Sequence, residues 1–275
     1  LPLPTIPGSA VEIAEEPVRQ RIRHAVFDLD GTISLMRDGW QDHMVPLMIE
    51  TLESCPRHES REELQAMIID FVDHLTGKQT IYQMIRLAEE VEKRGGTPLE
   101  PLEYKALYNE RLVAGVGERM SGLVNGSIDP SSLLVAGSKE LLEDLNSRGV
   151  RCYLASGTDT EYVKKDADLL GIEHLLEGGI FGALPNYKDF SKAKVIARIL
   201  SDFDLKGPEL LIVGDGYIEI ENAREAQAIA FGVHSCENNR YHMNADKRGR
   251  LLKAGAHFLA EDLSEGRAVL DYLEP

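Results

Sequence analysis

Residues 25–34 read AVFDLDGTIS, an apolar run that turns acidic within a few residues. A short apolar run bounded by turn residues suits a strand buried on both faces. Here the run, HAVFD at 24–28, ends in two carboxylates one residue apart. Side chains alternate along an extended chain, so Asp28 and Asp30 project to the same side, and Gly31 gives the backbone freedom for a sharp exit. Two carboxylates at one strand end suit a cation or a phosphoryl group.

The pattern changes character on either side of this stretch. Downstream, GWQDHMVPLMIETLES, REELQAMIIDFVDHL, TIYQMIRLAEEVEKRGG and PLEYKALYNERLVAGVGERM carry apolar residues at intervals of three and four, the mark of amphipathic helices. After Pro130, helical patterns alternate with the short apolar runs RCYLAS, ELLIVGDG and AIAFGV. That alternation predicts βαβ units, hence a parallel sheet covered by helices. The strand at 24–28 belongs with this later part, so the expected architecture is a discontinuous α/β core, 21–35 and 130–275, interrupted by an all-helical cap at 36–129. The opening LPLPTIPGSA, rich in proline, reads as a flexible lead-in over residues 1–20.

The 275 residues suffice for one large or two modest domains. Hydrophobic residues make up 43% and charged residues 28%, and no apolar run approaches the roughly 20 residues of a membrane helix. The formal charge of −16 repels phosphate backbones, which argues against a nucleic-acid partner while leaving room for a small anion in a local cationic pocket. Cys55, Cys152 and Cys236 have no CxxC spacing, so neither zinc nor a disulfide framework is expected, and a reducing cytoplasm fits.

Ligands of open α/β folds gather beyond the carboxyl ends of the strands, and three strands here end in polar signatures: DLDGT, ASGT and GDG. Asp28 and Asp215 can offer oxygen atoms from neighbouring strands to Mg²⁺, which keeps several waters and uses one or two carboxylates. Glu219, at the start of the next helix, can orient those waters. These segments, with a lysine near position 190 and GDGYIE at 214–219, resemble the four motifs of the haloacid dehalogenase superfamily over about residues 24 to 260. The helical cap is similar to those of phosphoglycolate phosphatase and β-phosphoglucomutase.

The resemblance implies a Rossmann-like core, Mg²⁺ as cofactor, and Asp28 as the nucleophile that forms an aspartyl phosphate. Asp30 then protonates the leaving oxygen and activates water; an acid at this position favours phosphate esters over haloacids and phosphonates. Asp28, Asp30, Asp215 and Glu219 are the candidate metal ligands. Thr32, Ser156, Gly157 and Lys192 are the candidate phosphate-binding residues, with Lys188 in reserve. Lys192 opens the helix before the GDG strand and stands 23 residues ahead of Asp215. In the cap, Lys78 and Gln79 of LTGKQTIYQ are expected to reach across the cleft toward the substrate.

The implied function is hydrolysis of a small phosphorylated metabolite, sugar phosphates first. A phosphosugar mutase and a catalytically silent phosphometabolite-binding protein remain alternatives, and oligomeric state is open. Plainer roles stand beside these: Ser156 as a helix cap, Lys192 as a surface lysine, Glu219 as a favourable first-turn charge. The eight histidines show no ligand spacing, and Trp40 and Tyr82 are expected in helix packing.

Overall fold

The computed structural model describes residues 2–236 and 239–274. Its strands are β1 (Glu12–Ile13), β2 (His24–Phe27), β3 (Arg151–Asp159), β4 (Gly179–Ala183), β5 (Leu210–Gly214), β6 (Ile229–Val233), β7 (Ser235–Cys236), β8 (Asn239–Met243) and β9 (Phe258–Ala260). Its helices are α1 (Gln41–Glu53), α2 (Arg61–Leu75), α3 (Thr80–Lys93), α4 (Pro101–Asn125), α5 (Ser138–Ser147), α6 (Thr160–Leu169), α7 (Lys192–Asp202), α8 (Tyr217–Glu225), α9 (Ala245–Ala254) and α10 (Gly266–Leu273).

Seven strands form one sheet in the order β1-β9-β6-β5-β2-β3-β4, parallel except where β1 meets β9; β7 and β8 form a separate hairpin. The strand HAVF is central, its Phe27 opposite Leu154 of β3 on one side and Val213 of β5 on the other. Each strand must therefore be apolar on both faces. Ala25 and Phe27 enter one core with Leu141, Leu145 and Val163, while Val26 enters the other with Ile196, Ile212 and Ile220.

The first four helices build their own apolar centre, with Met48, Leu52, Ile68, Met84, Leu87 and Leu112 among its buried members. Local signals set their ends. Ser60 and Glu63 make a reciprocal capping box at α2, and α4 starts with Pro101 and stops at Gly126, whose φ of 75° suits glycine. The chain leaves the sheet through a tight turn at Gly31 (φ 76°), and its two connections to the helices run side by side. The Leu35 N–H donates to the Leu133 carbonyl and the Val135 N–H to the Ile33 carbonyl, both at 2.8 Å.

The amino-terminal segment departs from expectation. Ile6 and Val11 are buried in the main core, and β1 adds an antiparallel edge to β9. Proline is compatible with an edge, where no ladder donor is needed, so the prolines that read as a flexible lead-in flank a packed strand. Among the described residues no helix is long and apolar enough to cross a membrane.

Candidate active site

Because β2 pairs with both β3 and β5, the residues after these strands converge, and with the helical insert above them they enclose a cavity of about 280 Å³. Asp28 extends β2 by one more ladder bond, its N–H donating to the Val213 carbonyl at 3.0 Å. The carboxylate is buried, and its Oδ1 accepts a hydrogen bond from Lys192 Nζ at 2.7 Å. The same ammonium donates to Oε1 of Glu219. Glu219 fits only because two neighbours lack side chains: a Cβ at Gly214 would lie 2.4 Å from its Cγ, and one at Gly216 would lie 2.4 Å from its Oε2.

Asp215 faces the same space from the end of β5. Its Oδ2 accepts from Lys247 Nζ at 2.8 Å and its Oδ1 from the Thr32 hydroxyl at 3.4 Å. Asp30 is held apart from this group. Its Oδ2 accepts from the Thr158 hydroxyl at 3.1 Å, while its buried Oδ1 has no hydrogen-bond partner and lies 3.8 Å from Arg37 Nε. Arg37 is itself gripped by Oδ2 of Asp166, at 3.0 Å from Nε and 2.8 Å from Nη2.

Charge in this pocket is unbalanced. Burial pushes the Asp28 carboxyl well above the usual carboxylate range; Lys192 opposes the shift, and Glu219 and Asp215 add to it. Burial also disfavours the Lys192 ammonium, but Asp28 and Glu219 outweigh it and raise its pKa. Asp30 is raised by burial against the pull of Arg37, with Asp166 adding to the rise. One lysine thus serves two buried carboxylates, and Oε2 of Glu219 has no partner. A buried carboxylate group short of positive charge suits a cation.

The donors fit magnesium. Among the described residues no set of three or more His, Cys, Asp or Glu side chains is arranged to hold a metal alone, and Mg²⁺ asks for less: one or two carboxylates, waters and a substrate oxygen. Asp28 and Asp215, which line the cavity from neighbouring strands, are the carboxylates that would hold it. Glu219 and Asp30, also expected as ligands, each keep one oxygen on a neighbour, Lys192 and Thr158 respectively, and one buried oxygen without a hydrogen-bond partner.

The insert reaches the site through residues 74–79. The Tyr217 hydroxyl donates to the His74 carbonyl, and a Cβ at Gly157 would sit 2.7 Å from the Lys78 carbonyl oxygen. Gln79 is buried, and its Nε2 donates to the carbonyls of Tyr187 at 2.9 Å and Phe190 at 2.8 Å, just ahead of α7. Farther along, Lys105 of α4 pairs with Asp159.

Several expected positions change meaning here. Lys78 is exposed and lines the cavity, whereas Gln79, expected to meet substrate hydroxyls, does not line it: its Nε2 is spent on the chain before α7, and its buried Oε1 has no hydrogen-bond partner. Lys188 is exposed outside the cavity, with Nζ 5.8 Å from the Tyr187 ring centre, so Lys192 is the lysine at the carboxylates. Ser156 is buried in the cavity wall, its Oγ accepting from the Thr158 N–H at 3.1 Å. Thr32 touches Asp215 instead of lining the cavity. Trp40 packs half-buried against the core of the first four helices, as expected, and also lines the cavity, whereas Tyr82 is exposed, edge-on to Tyr187. Sequence reasoning missed Arg37, Asp166, Lys105 and Lys247, each paired with a residue distant in the chain.

The haloacid dehalogenase-like hydrolase family matches residues 22–227. No curated protein sequence is significantly similar to the chain. Among solved structures, the fold is similar to a predicted phosphoglycolate phosphatase from Haemophilus somnus 129PT (19% identity, 91% of this chain and 98% of that one, TM-score 0.59). It is also similar to β-phosphoglucomutase from Clostridium difficile (14%, 92% and 99%, 0.61) and to CbbY from Rhodobacter sphaeroides in complex with phosphate (17%, 89% and 96%, 0.56).

Proposed function

The chain belongs to the haloacid dehalogenase-like hydrolase family, and from that premise we propose that it is a magnesium-dependent phosphatase of small phosphorylated metabolites, sugar phosphates foremost. The observation that carries the reading is the buried Asp28 carboxylate, 2.7 Å from Lys192 Nζ, with Asp30 two residues on in the same cavity. A carboxylate oxygen of Asp28 attacks phosphorus, and the bond from phosphorus to the leaving oxygen breaks as Asp30 delivers its proton to that oxygen. Asp30, now ionised, takes a proton from water, whose oxygen attacks the phosphoryl group. The bond to Asp28 breaks, restoring the carboxylate and releasing inorganic phosphate.

Lys192 neutralises charge on Asp28 and the phosphoryl oxygens as a point charge, and the Ser156 hydroxyl, in the cavity wall, donates to one of them. Mg²⁺, held by Asp28 and Asp215, would supply further neutralisation and orient the phosphoryl group. Burial of Asp30 favours the protonated form that its first step needs. A cavity of about 280 Å³ admits a phosphoryl group on a few carbons, and its cap wall offers Lys78, Thr80, Gln83 and Asn109 to hydroxyls or a second charge.

The test is phosphate release from p-nitrophenyl phosphate and from a sugar-phosphate panel in Mg²⁺, followed by phosphorus NMR. Wild-type turnover that falls to background in Asp28→Asn is expected. Turnover retained in Asp28→Asn would overturn the mechanism, and an isomerised sugar phosphate in place of inorganic phosphate would replace hydrolysis by mutase chemistry.

A further inference from the structure

Lys247 is a lysine in a place that disfavours one. It is the third residue of α9, where its N–H donates to the capping side chain of Asn244 at 3.1 Å. The positive end of the helix dipole favours an acid in that turn, and the Lys247 side chain is only 8% exposed. A buried cation against a helix dipole persists only with a compensating partner. One such partner is Oδ2 of Asp215, 2.8 Å from its Nζ. Lys192 repeats the arrangement, as the first residue of α7, buried and 2.7 Å from Asp28. Each of the two carboxylates offered to a divalent cation therefore already carries an ammonium group on one oxygen.

We propose that Lys247 competes with the divalent cation for Asp215 and thereby sets the cation affinity of the site. The inference rests on the reading of Asp28 and Asp215 as the magnesium ligands. A cation arriving at Asp215 must displace the ammonium from Oδ2 or bind beside it against its charge. Before it arrives, Lys247 keeps a half-buried carboxylate compensated, so the metal-free chain holds its site together. Lys247 is thus a positioning residue, acting on the cation through Asp215.

The experiment is calorimetric titration of the full chain with Mg²⁺ alone, without substrate. Lys247→Met keeps the apolar stem and removes the charge, and it is expected to lower the Kd for Mg²⁺ at least tenfold. It should also lower the Tm without metal and enlarge the rise in Tm that Mg²⁺ produces. Lys247→Gln, which can still donate to Asp215, is expected to tighten Mg²⁺ binding in the same direction and carries the test should the Met variant fail to fold. Lys194→Met, an exposed lysine of the same helix as Lys192, is expected to leave the Kd unchanged. A Kd within twofold of wild type or weaker in the folded Lys247 variants overturns the inference, as does no Mg²⁺ binding in any form. Phosphate release from p-nitrophenyl phosphate reports separately: its absence from wild type with the calorimetric shift intact would overturn the phosphatase reading and leave the competition standing.

Discussion

Replacing Gln79 by alanine removes the whole carboxamide: a nitrogen that makes two hydrogen bonds and a buried oxygen that makes none. The acceptors, the carbonyls of Tyr187 and Phe190, belong to the chain that leads into Lys192, while Gln79 belongs to the loop ahead of α3. A buried acceptor left without its donor costs about 1–3 kcal/mol, so two acceptors, one only part-buried, cost about 2–3 kcal/mol together. At about 1.4 kcal/mol per factor of ten, that is a roughly 30- to 150-fold loss in the docked arrangement. Both bonds join insert to sheet, so the loss falls on docking and not on either apolar core. kcat/KM for an accepted sugar phosphate is expected to fall by about that factor, with a smaller fall for p-nitrophenyl phosphate, which needs less of the roof. Steady-state kinetics beside a thermal melt provide the assay. A kcat/KM within twofold of wild type, or a loss fully matched by partial unfolding at the assay temperature, would refute the reasoning.

Lys192→Ala is expected to cost at least a hundredfold in kcat for p-nitrophenyl phosphate, and Lys188→Ala less than threefold; the opposite ranking in the same assay would move the phosphate-binding lysine to position 188. Arg37→Met combined with Asp166→Leu, which avoids leaving Asp166 buried and unpaired, is expected to slow alkyl phosphates about tenfold more than aryl phosphates, because a misplaced Asp30 matters most when the leaving oxygen needs a proton. Equal losses on both substrate types would show that Arg37 does not act through Asp30. Burial at the start of β2, with Arg151 and Arg23 nearby, pushes His24 from 6.5 down to about 4, so the unfolded chain binds the extra proton. Its contribution to stability is therefore complete above pH 6.5 and is lost as pH falls toward 4. Urea midpoints across that range are expected to decline less in His24→Gln than in wild type.

The four central strands, β6, β5, β2 and β3, were legible because they announce themselves: HAVF, CYLA and LLIV are apolar on both faces and stop at Asp, Ser or Gly, whereas β1, β4 and β9 at the flanks were not read. The acids and glycines of the site lie within those same segments, where spacing reveals them. Lys247 stands 32 residues beyond Asp215, and Arg37 stands 129 residues before Asp166. No local period encodes such pairings; the only trace was a lysine in a helical turn that disfavours it. Gln79 shows a second limit, since the residue type gives its hydrogen-bonding capacity but not the direction in which it is used. The prolines near residue 4 show a third, because they mark an edge as readily as a loose end.

The paired connections at Ile33–Leu35 and Leu133–Val135 also bear on how the chain finds its shape. β2 must meet β3, yet more than a hundred residues separate His24 from Arg151, its partner in the ladder. Closing a loop of about 100 residues costs about 2 kcal/mol more than closing one of about 10. The four helices share a methionine- and leucine-rich centre of their own, and were they to collapse on it early they would bring their two ends together and remove much of that cost. The insert would then act as a fastening that draws distant strands into register, and stopped-flow refolding of Met48→Ala or Leu87→Ala is expected to be slower than wild type although neither residue touches the sheet.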